Sequence, residues 1–225
     1  MENKSILTCN NVIIKDPYSY ATIKIKDFSI HSGERIFILG TSDHLRTVFM
    51  KSILGFICPV SVKILYKDKD LYMRNYKEML RYRRNVGYSY SQHGLLKHLS
   101  IYDNIMLPMQ INGELSEYEM GQRVMALFDL LHISLHPFKE AWGLSRVDEK
   151  KILLARAVSS KPELLLIDDP TSYVENVDKA SIIDCIDTIL LELCIERDKT
   201  AVIITSEEEG WSAINNDRSL MLEEV

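Results

Sequence analysis

Two short runs constrain the fold of this chain more than anything else in it. LLLID at 164–168 and AVIIT at 201–205 are apolar at every position before their last. A strand with one face in water alternates apolar and polar residues, because successive side chains point to opposite faces. A strand that is apolar throughout is covered on both faces, as in a parallel sheet flanked by helices. A third apolar stretch, IFILG at 36–40, runs into a short polar segment and then an amphipathic one. The three are expected in one sheet, with LLLID and IFILG as neighbours. Strands alternating with helical patterns indicate an α/β domain with a mostly parallel sheet.

Along the rest of the chain, 5–30 holds strand-like stretches, among them SILTC and TIKIKDFSI; the latter alternates except for a slip near Asp27. A helix is expected from about 45 to 54, with Val48, Phe49, Ser52 and Ile53 inward. Residues 60–72 read as a hairpin and 83–92 as a strand ending at Gln92. Residues 95–140 are mostly helical. There Ser116 and Glu119 fit a capping box, with Val124, Leu127, Phe128 and Leu131 following at helical spacing. Further helices are expected from Ser145 to about 159 and over 178–196, and a last strand at 218–222.

Composition narrows the function classes. At 225 residues and 46% hydrophobic, the chain can build one sizeable core. A formal charge of -5 points away from nucleic acid and from an anionic membrane as the main partner. Cys9, Cys58, Cys185 and Cys194 lack metal-ligand spacing and read as reduced thiols of a cytosolic protein. The first residues, MENKSILTCNN, lack the apolar core of a signal peptide. No apolar run approaches the ~20 residues that cross a bilayer. Work at a membrane would require another chain to carry the spans.

The strand–loop–helix at 36–55, IFILGTSDHLRTVFMKSILG, has the frame of the phosphate-binding motif G-x-x-x-x-G-K-[ST]. Gly40 opens the loop and Thr47 stands where a Mg²⁺-binding hydroxyl belongs. Leu45 replaces the last Gly and Arg46 the Lys. The stretch also reads as an ordinary strand–turn–helix connection without a ligand.

Taken in order over about residues 5–224, these segments resemble the ATP-binding subunit of an ABC transporter. The likeness is greatest to the small, separately encoded subunits of the lipoprotein-release, lipid-transport and cell-division-associated groups. The resemblance implies a P-loop NTPase-like core with a mostly parallel sheet, an N-terminal antiparallel β portion and a helical sub-domain. It implies a single nucleotide-binding domain over 1–225, with its core at about 1–92 and 159–225 and the helical sub-domain at about 93–158.

The resemblance also implies roles. Gly40, Thr41, Ser42, Asp43, His44, Leu45, Arg46, Thr47 and Val48 would cradle the phosphates of ATP. Gln92 would be the glutamine that touches Mg²⁺, alongside Thr47 and Asp168. WGLSRVDEKKILLARAV matches the signature segment at Leu144, Ser145, Ala155, Arg156 and Ala157, with Ser145 facing a partner's nucleotide. Asp169 stands at the position of the Glu that orients attacking water, and Ser206 at that of the switch histidine. The adenine-stacking aromatic would fall near Ile14, with Tyr18 and Tyr20 close by.

The departures from the family pattern lie in the chemistry. Leu45 would pay a steric cost wherever the loop needs a positive φ. Asp43 adds an anion beside the phosphates, and Arg46 is bulkier than Lys and forked. Arg146 and Val147 replace two signature glycines. Asp148 and Glu149 follow in the first turn, where they suit the helix's own free N–H groups. Asp169 is shorter than Glu by one bond, ~1.5 Å, and a misplacement of about 1 Å costs roughly 10²-fold in rate. Ser206 supplies no titratable charge, and Glu207, Glu208 and Glu209 follow it.

The sequence therefore points to a degenerate ABC-type subunit, an ATPase by fold with weak or absent hydrolysis, in a transport or extrusion complex. ATP and Mg²⁺ are its doubtful cofactors. Its partners would be a transmembrane permease subunit and a second copy or an intact ABC ATPase, with no nucleic acid. It would sit in the cytoplasm, peripheral to the membrane's cytoplasmic face. The alternatives are a working ATP-hydrolysing subunit, supported by Thr47, Gln92, Asp168 and Asp169, and a soluble scaffold unrelated to transport. Leu95, Leu96, Leu99, Ile101, Tyr102 and Met106 are expected to leave an exposed apolar patch that docks a membrane chain.

Overall fold

A computed structural model describes residues 5–16, 22–40, 42–60, 63–90, 94–195, 200–206 and 218–224. The elements in chain order are β1 (Ser5–Cys9), β2 (Val12–Lys15), β3 (Thr22–Ile25), β4 (Phe28–His31), β5 (Arg35–Leu39), α1 (Asp43–Ile53), β6 (Ile64–Tyr66), β7 (Lys69–Asp70), α2 (Tyr76–Arg84) and β8 (Val86–Ser89). There follow α3 (Ile101–Asn112), α4 (Glu117–Leu130), α5 (Arg146–Ser159), β9 (Leu164–Asp168), α6 (Asn176–Ile195), β10 (Ala201–Ser206), β11 (Arg218–Met221) and β12 (Glu223–Glu224).

The apolar runs form a five-stranded parallel sheet in the order β11-β5-β10-β9-β8. Each of its inner strands feeds two cores. Phe37, Leu165, Ile167, Val202 and Ile204 join one cluster with Ile152, Ile182 and Ile186 of α5 and α6. Ile36, Ile38, Leu164, Leu166 and Ile203 join another with Val48, Phe49 and Ile53 of α1. Both faces are covered, which is why these strands show no alternation.

The expected neighbourhood of LLLID and IFILG is wrong in one respect. They share the sheet, but β10 lies between them, with Ile203 opposite both Ile36 and Leu166. Strands that are apolar on both faces carry no pattern that says which is next to which.

The antiparallel strands form two small sheets, β4-β1-β6-β7 and β12-β3-β2. The slip in TIKIKDFSI is the point where the segment leaves one sheet for the other. There the Asp27 carboxylate accepts the Asn11 N–H at 2.6 Å, and Asn11 is in the left-handed region at φ 43°.

One helix has no counterpart in the sequence reading. Residues 76–84 form α2, so Arg83 and Arg84 end a helix and β8 begins at Val86. Its start is written in the sequence: Asn75 caps Glu78 and Glu78 caps Asn75 in return. It is short and strongly charged and buries only Tyr82, so no apolar run marks it. At the far side of β8, a Cβ on Gly87 would lie 2.1 Å from the Ala157 carbonyl. Only glycine lets α5 approach β8 this closely.

The six apolar residues of 95–106 divide. Leu95, Ile101 and Met106 are buried in the α-helical core, which leaves the other three for the expected patch. Leu96 is exposed, and Leu99 and Tyr102 are half-buried. Buried Asn104 holds the segment: its amide donates to the carbonyls of Leu96 and Ser100 and accepts the Leu96 N–H. Of the cysteines, Cys9 and Cys185 are buried and Cys58 exposed, all as free thiols.

Candidate functional site

The carboxyl ends of β5, β9 and β10 lie side by side, because the strands are parallel and in register: Ser206 is opposite Leu39, and Thr205 opposite Asp168. In an open α/β sheet this edge is where ligands bind. The loop from Gly40 and the start of α1 complete it.

That loop departs from the open cradle expected of it. Ser42 caps a helix that already begins at Asp43, and its side chain accepts the Leu45 N–H at 3.4 Å. The Arg46 N–H bonds the Ser42 carbonyl at 3.1 Å. None of residues 42–47 has a positive φ, so the strain expected at Leu45 does not arise. The sequence S-D-H-L-R is wound into the helix, and two N–H groups that could meet an anion are taken. His44 turns away and meets the buried carboxylate of Asp16 at 2.6 Å, while Leu45 and Val48 are core residues.

Arg46 is fully buried. Its guanidinium donates to the Gly40 carbonyl, to the Asp43 carboxylate and to Asp169 Oδ2, the last at 2.8 Å. The expected free anion at Asp43 is therefore an ion-pair partner. The contacts use both terminal nitrogens of the planar fork, a geometry that the single ammonium of a Lys does not reproduce.

Asp168 is enclosed by hydroxyl donors. Thr47 Oγ1 donates to Oδ2 at 2.8 Å, Tyr88 Oη to Oδ2 at 3.1 Å, and Thr205 Oγ1 to Oδ1 at 2.9 Å. Burial pushes the Asp168 carboxyl above its ordinary range against the pull of these bonds. Burial, and then the neighbouring carboxylate, push the Tyr88 phenol far up, so it remains a donor.

Asp169 sits in the left-handed region at φ 42°, just before Pro170. Asp tolerates that region better than most residues. Its N–H bonds the Thr205 carbonyl and hydroxyl, both at 3.1 Å. Its carbonyl accepts from Ser172 Oγ at 2.7 Å and from Lys150 Nζ at 3.3 Å. Burial pushes its carboxyl up, and Arg46 pulls it back.

The structure thus brings together Gly40, Asp43, Arg46, Thr47, Asp168, Asp169 and Ser206. Asp43, Asp169 and Ser206 line a polar cleft of about 230 Å³ with Thr171, Tyr173 and Lys179. Ser145 is elsewhere: exposed at the start of α5, it accepts the Asp148 N–H and donates to the Asp148 carboxylate. Ile14 is buried and unavailable to a base. Thr41, Gln92, Tyr18, Tyr20, Glu207, Glu208 and Glu209 lie outside the described residues.

Tyr88, Thr205 and Lys150 are site residues that the sequence reading passed over. Thr205 was within reach, because aligning AVIIT with LLLID puts it beside Asp168. Tyr88 and Lys150 had no such signal.

Comparison with known proteins agrees with this architecture. The family described as ABC transporter matches residues 23–172. The methionine import ATP-binding protein MetN 1 of Pseudomonas fluorescens is 28% identical over 178 residues, 79% of this chain and 52% of its own. The lipoprotein-releasing system ATP-binding protein LolD 1 of Chlorobium chlorochromatii is 28% identical over 181 residues, 80% of this chain and 72% of its own. The chain spans about half the length of the methionine-import relatives. The ATP-binding cassette MJ0796, solved as a post-hydrolysis dimer with ADP and phosphate, superposes with a TM-score of 0.78 at 19% identity, over 96% of this chain and 94% of its own. That last likeness is one of fold.

Lys150 gives the site a testable pH dependence. Burial lowers its ammonium from 10.5 to about 8, against the pull of Asp169 and Asp168. Between those values the unfolded chain holds a proton that the folded chain has released, so stability rises with pH across the window. Urea denaturation of wild type and Lys150→Met at pH 7, 8, 9 and 10 should show the difference between them shift in favour of wild type, by on the order of 2 kcal/mol. A pH-independent difference would refute a perturbed Lys150.

Proposed function

The chain belongs to the ABC transporter family, and we propose that it is a non-hydrolysing ATP-binding-cassette subunit that docks on a transmembrane permease. The observation that carries the first half is the buried Arg46 guanidinium, held by Gly40, Asp43 and Asp169 where the family's loop would surround phosphate. We read the residues at this site as unsuited to a magnesium–nucleotide. Arg46 fills the space, the N–H groups of Leu45 and Arg46 are engaged, and the Asp168 oxygens are covered by three hydroxyls. The shortened Asp169 and the uncharged Ser206 point the same way, since phosphoryl transfer rests on positioning and charge stabilisation.

One observation favours the other reading, a working ATPase. Thr47 and Asp168, the two residues that would share a metal, are still within 2.8 Å of each other. Calorimetric titration with ATP and Mg²⁺ separates the two, together with an assay of phosphate release. The non-hydrolysing reading expects no saturable heat at millimolar ATP and phosphate release at background. Micromolar binding, or Mg²⁺-dependent release abolished by Asp168→Asn, would overturn it.

The second half of the proposal rests on the helical part, about 93–158, of a single domain whose core is about 1–92 and 159–225. Half-buried Tyr102 lines a groove of about 1050 Å³ with Tyr118, Gly121, Met125 and Phe138, and Leu96 is exposed six residues before it in the chain. Gly121 keeps it open at Tyr102, whose hydroxyl lies 2.7 Å from where a Cβ would be. A helix of a permease fits such a groove. The subunit would then be peripheral on the cytoplasmic face, paired with a second copy or an intact ATPase. No described helix is long and apolar enough to cross a membrane itself. Leu96→Asp and Tyr102→Asp should each abolish co-purification of the permease from native membranes, with unchanged circular dichroism. Folded variants that keep the permease would rule this site out.

A further inference from the structure

Helix α2 carries a cationic surface remote from the sheet edge in sequence. Between 74 and 84 stand Arg74, Lys77, Arg81, Arg83 and Arg84 against one carboxylate, Glu78, a local charge of +4 in a chain of net charge -5. Two of these cations serve the fold. Arg83 donates to the Leu54 and Gly55 carbonyls and covers the Phe56 ring at 4.1 Å; Arg74 donates to the Tyr66 carbonyl. The side chains of Lys77, Arg81 and Arg84 are exposed and make no hydrogen bond or ion pair among the described residues.

Beside them is an apolar row. Tyr76 is 77% exposed and Leu80, one turn on, 37%; Met73, just before the helix, is 82% exposed. Tyr76, Lys77, Leu80, Arg81 and Arg84 fall on one face of α2, and buried Tyr82 lies on the other. Phe56, 63% exposed beneath Arg83, extends the apolar row.

A bland explanation is that Arg81 and Arg84 suit the negative end of the helix dipole. It leaves Lys77 out, because a cation in the first turn meets the positive end. It also leaves the exposed apolar row out.

We propose that this face of α2 rests on an anionic lipid surface. Phosphate headgroups would supply the acceptors that Lys77, Arg81 and Arg84 lack. Tyr76, Leu80 and Met73 would enter the boundary between headgroups and acyl chains. An acidic protein partner would satisfy the charges alone. It would leave Met73 and Tyr76, among the most exposed apolar side chains described, uncovered, whereas a planar interface receives a protruding helix without a groove. The chain's overall negative charge concealed the patch from composition. The inference is independent of whether nucleotide binds, and added ATP should leave it unchanged.

The test is flotation of the full chain with vesicles of phosphatidylcholine alone and of equal parts phosphatidylcholine and phosphatidylglycerol. The wild type should float with the anionic vesicles only and be released as salt is raised. Lys77→Gln, Arg81→Gln and Arg84→Gln combined should weaken binding by roughly 10²-fold, at about five-fold per cation. Tyr76→Ser with Leu80→Ser should weaken it at constant charge. Lys77→Arg, Arg81→Lys and Arg84→Lys combined should bind as wild type does, which separates lost charge from lost folding. Absence of wild-type flotation with anionic vesicles overturns the proposal, as does equal flotation of the Gln variant. So does a wild type that ignores the vesicles while binding RNA or an acidic peptide.

Discussion

A fully buried guanidinium has to be paired, because stripping a cation of water without compensation costs several kcal/mol. In this protein that requirement is met at Arg46, and the meeting of it organises the sheet edge. Arg46 draws in the Gly40 carbonyl, the Asp43 carboxylate and Asp169. Asp43 can serve only because α1 starts early enough to place it one turn before Arg46. Asp169 can serve only because its backbone takes the left-handed conformation, fixed by Thr205, Ser172 and Lys150. The sheet edge is thereby built around a resident cation and two acids.

The architecture was legible in the sequence wherever burial leaves a pattern. The doubly covered strands at 164–168 and 201–205, the capped helix at Ser116 and the helix after Ser145 all announce themselves by apolar runs or caps. Strand order was not legible, since β10 between β5 and β9 looks the same as either neighbour. Helix α2 was missed because it is nine residues long, rich in charge and buries one side chain, so no apolar run marks it. At the site, the identity of the unusual residues could be read, but not their mutual arrangement. Asp43, Leu45 and Arg46 were each visible as departures. The Asp43–Arg46 pair and the Ser42 cap are local, but that Asp169 also binds Arg46 depends on a contact between residues 123 positions apart.

Local charge was hidden for the same reason. Averaged over the chain, acids exceed bases. On α2, the cations that have structural duties and those that do not can be told apart only once Phe56, Leu54 and Tyr66 are seen to hold Arg83 and Arg74. The same helix that packs Tyr82 into the core leaves a cationic and apolar face outward.

The ion pair at the centre of the site is open to direct measurement by a thermodynamic cycle. Stability would be measured by urea denaturation for wild type, Arg46→Met, Asp169→Asn and the double variant. A pair buried together implies a loss in each single variant, larger in Arg46→Met, which strands Asp169 without its cation, than in Asp169→Asn, which leaves Arg46 with Asp43, and a partial recovery in the double variant, with a coupling of about 2–3 kcal/mol. A coupling near zero, with the two single losses simply adding, would mean that Arg46 and Asp169 do not hold each other and that the site is free for another ligand.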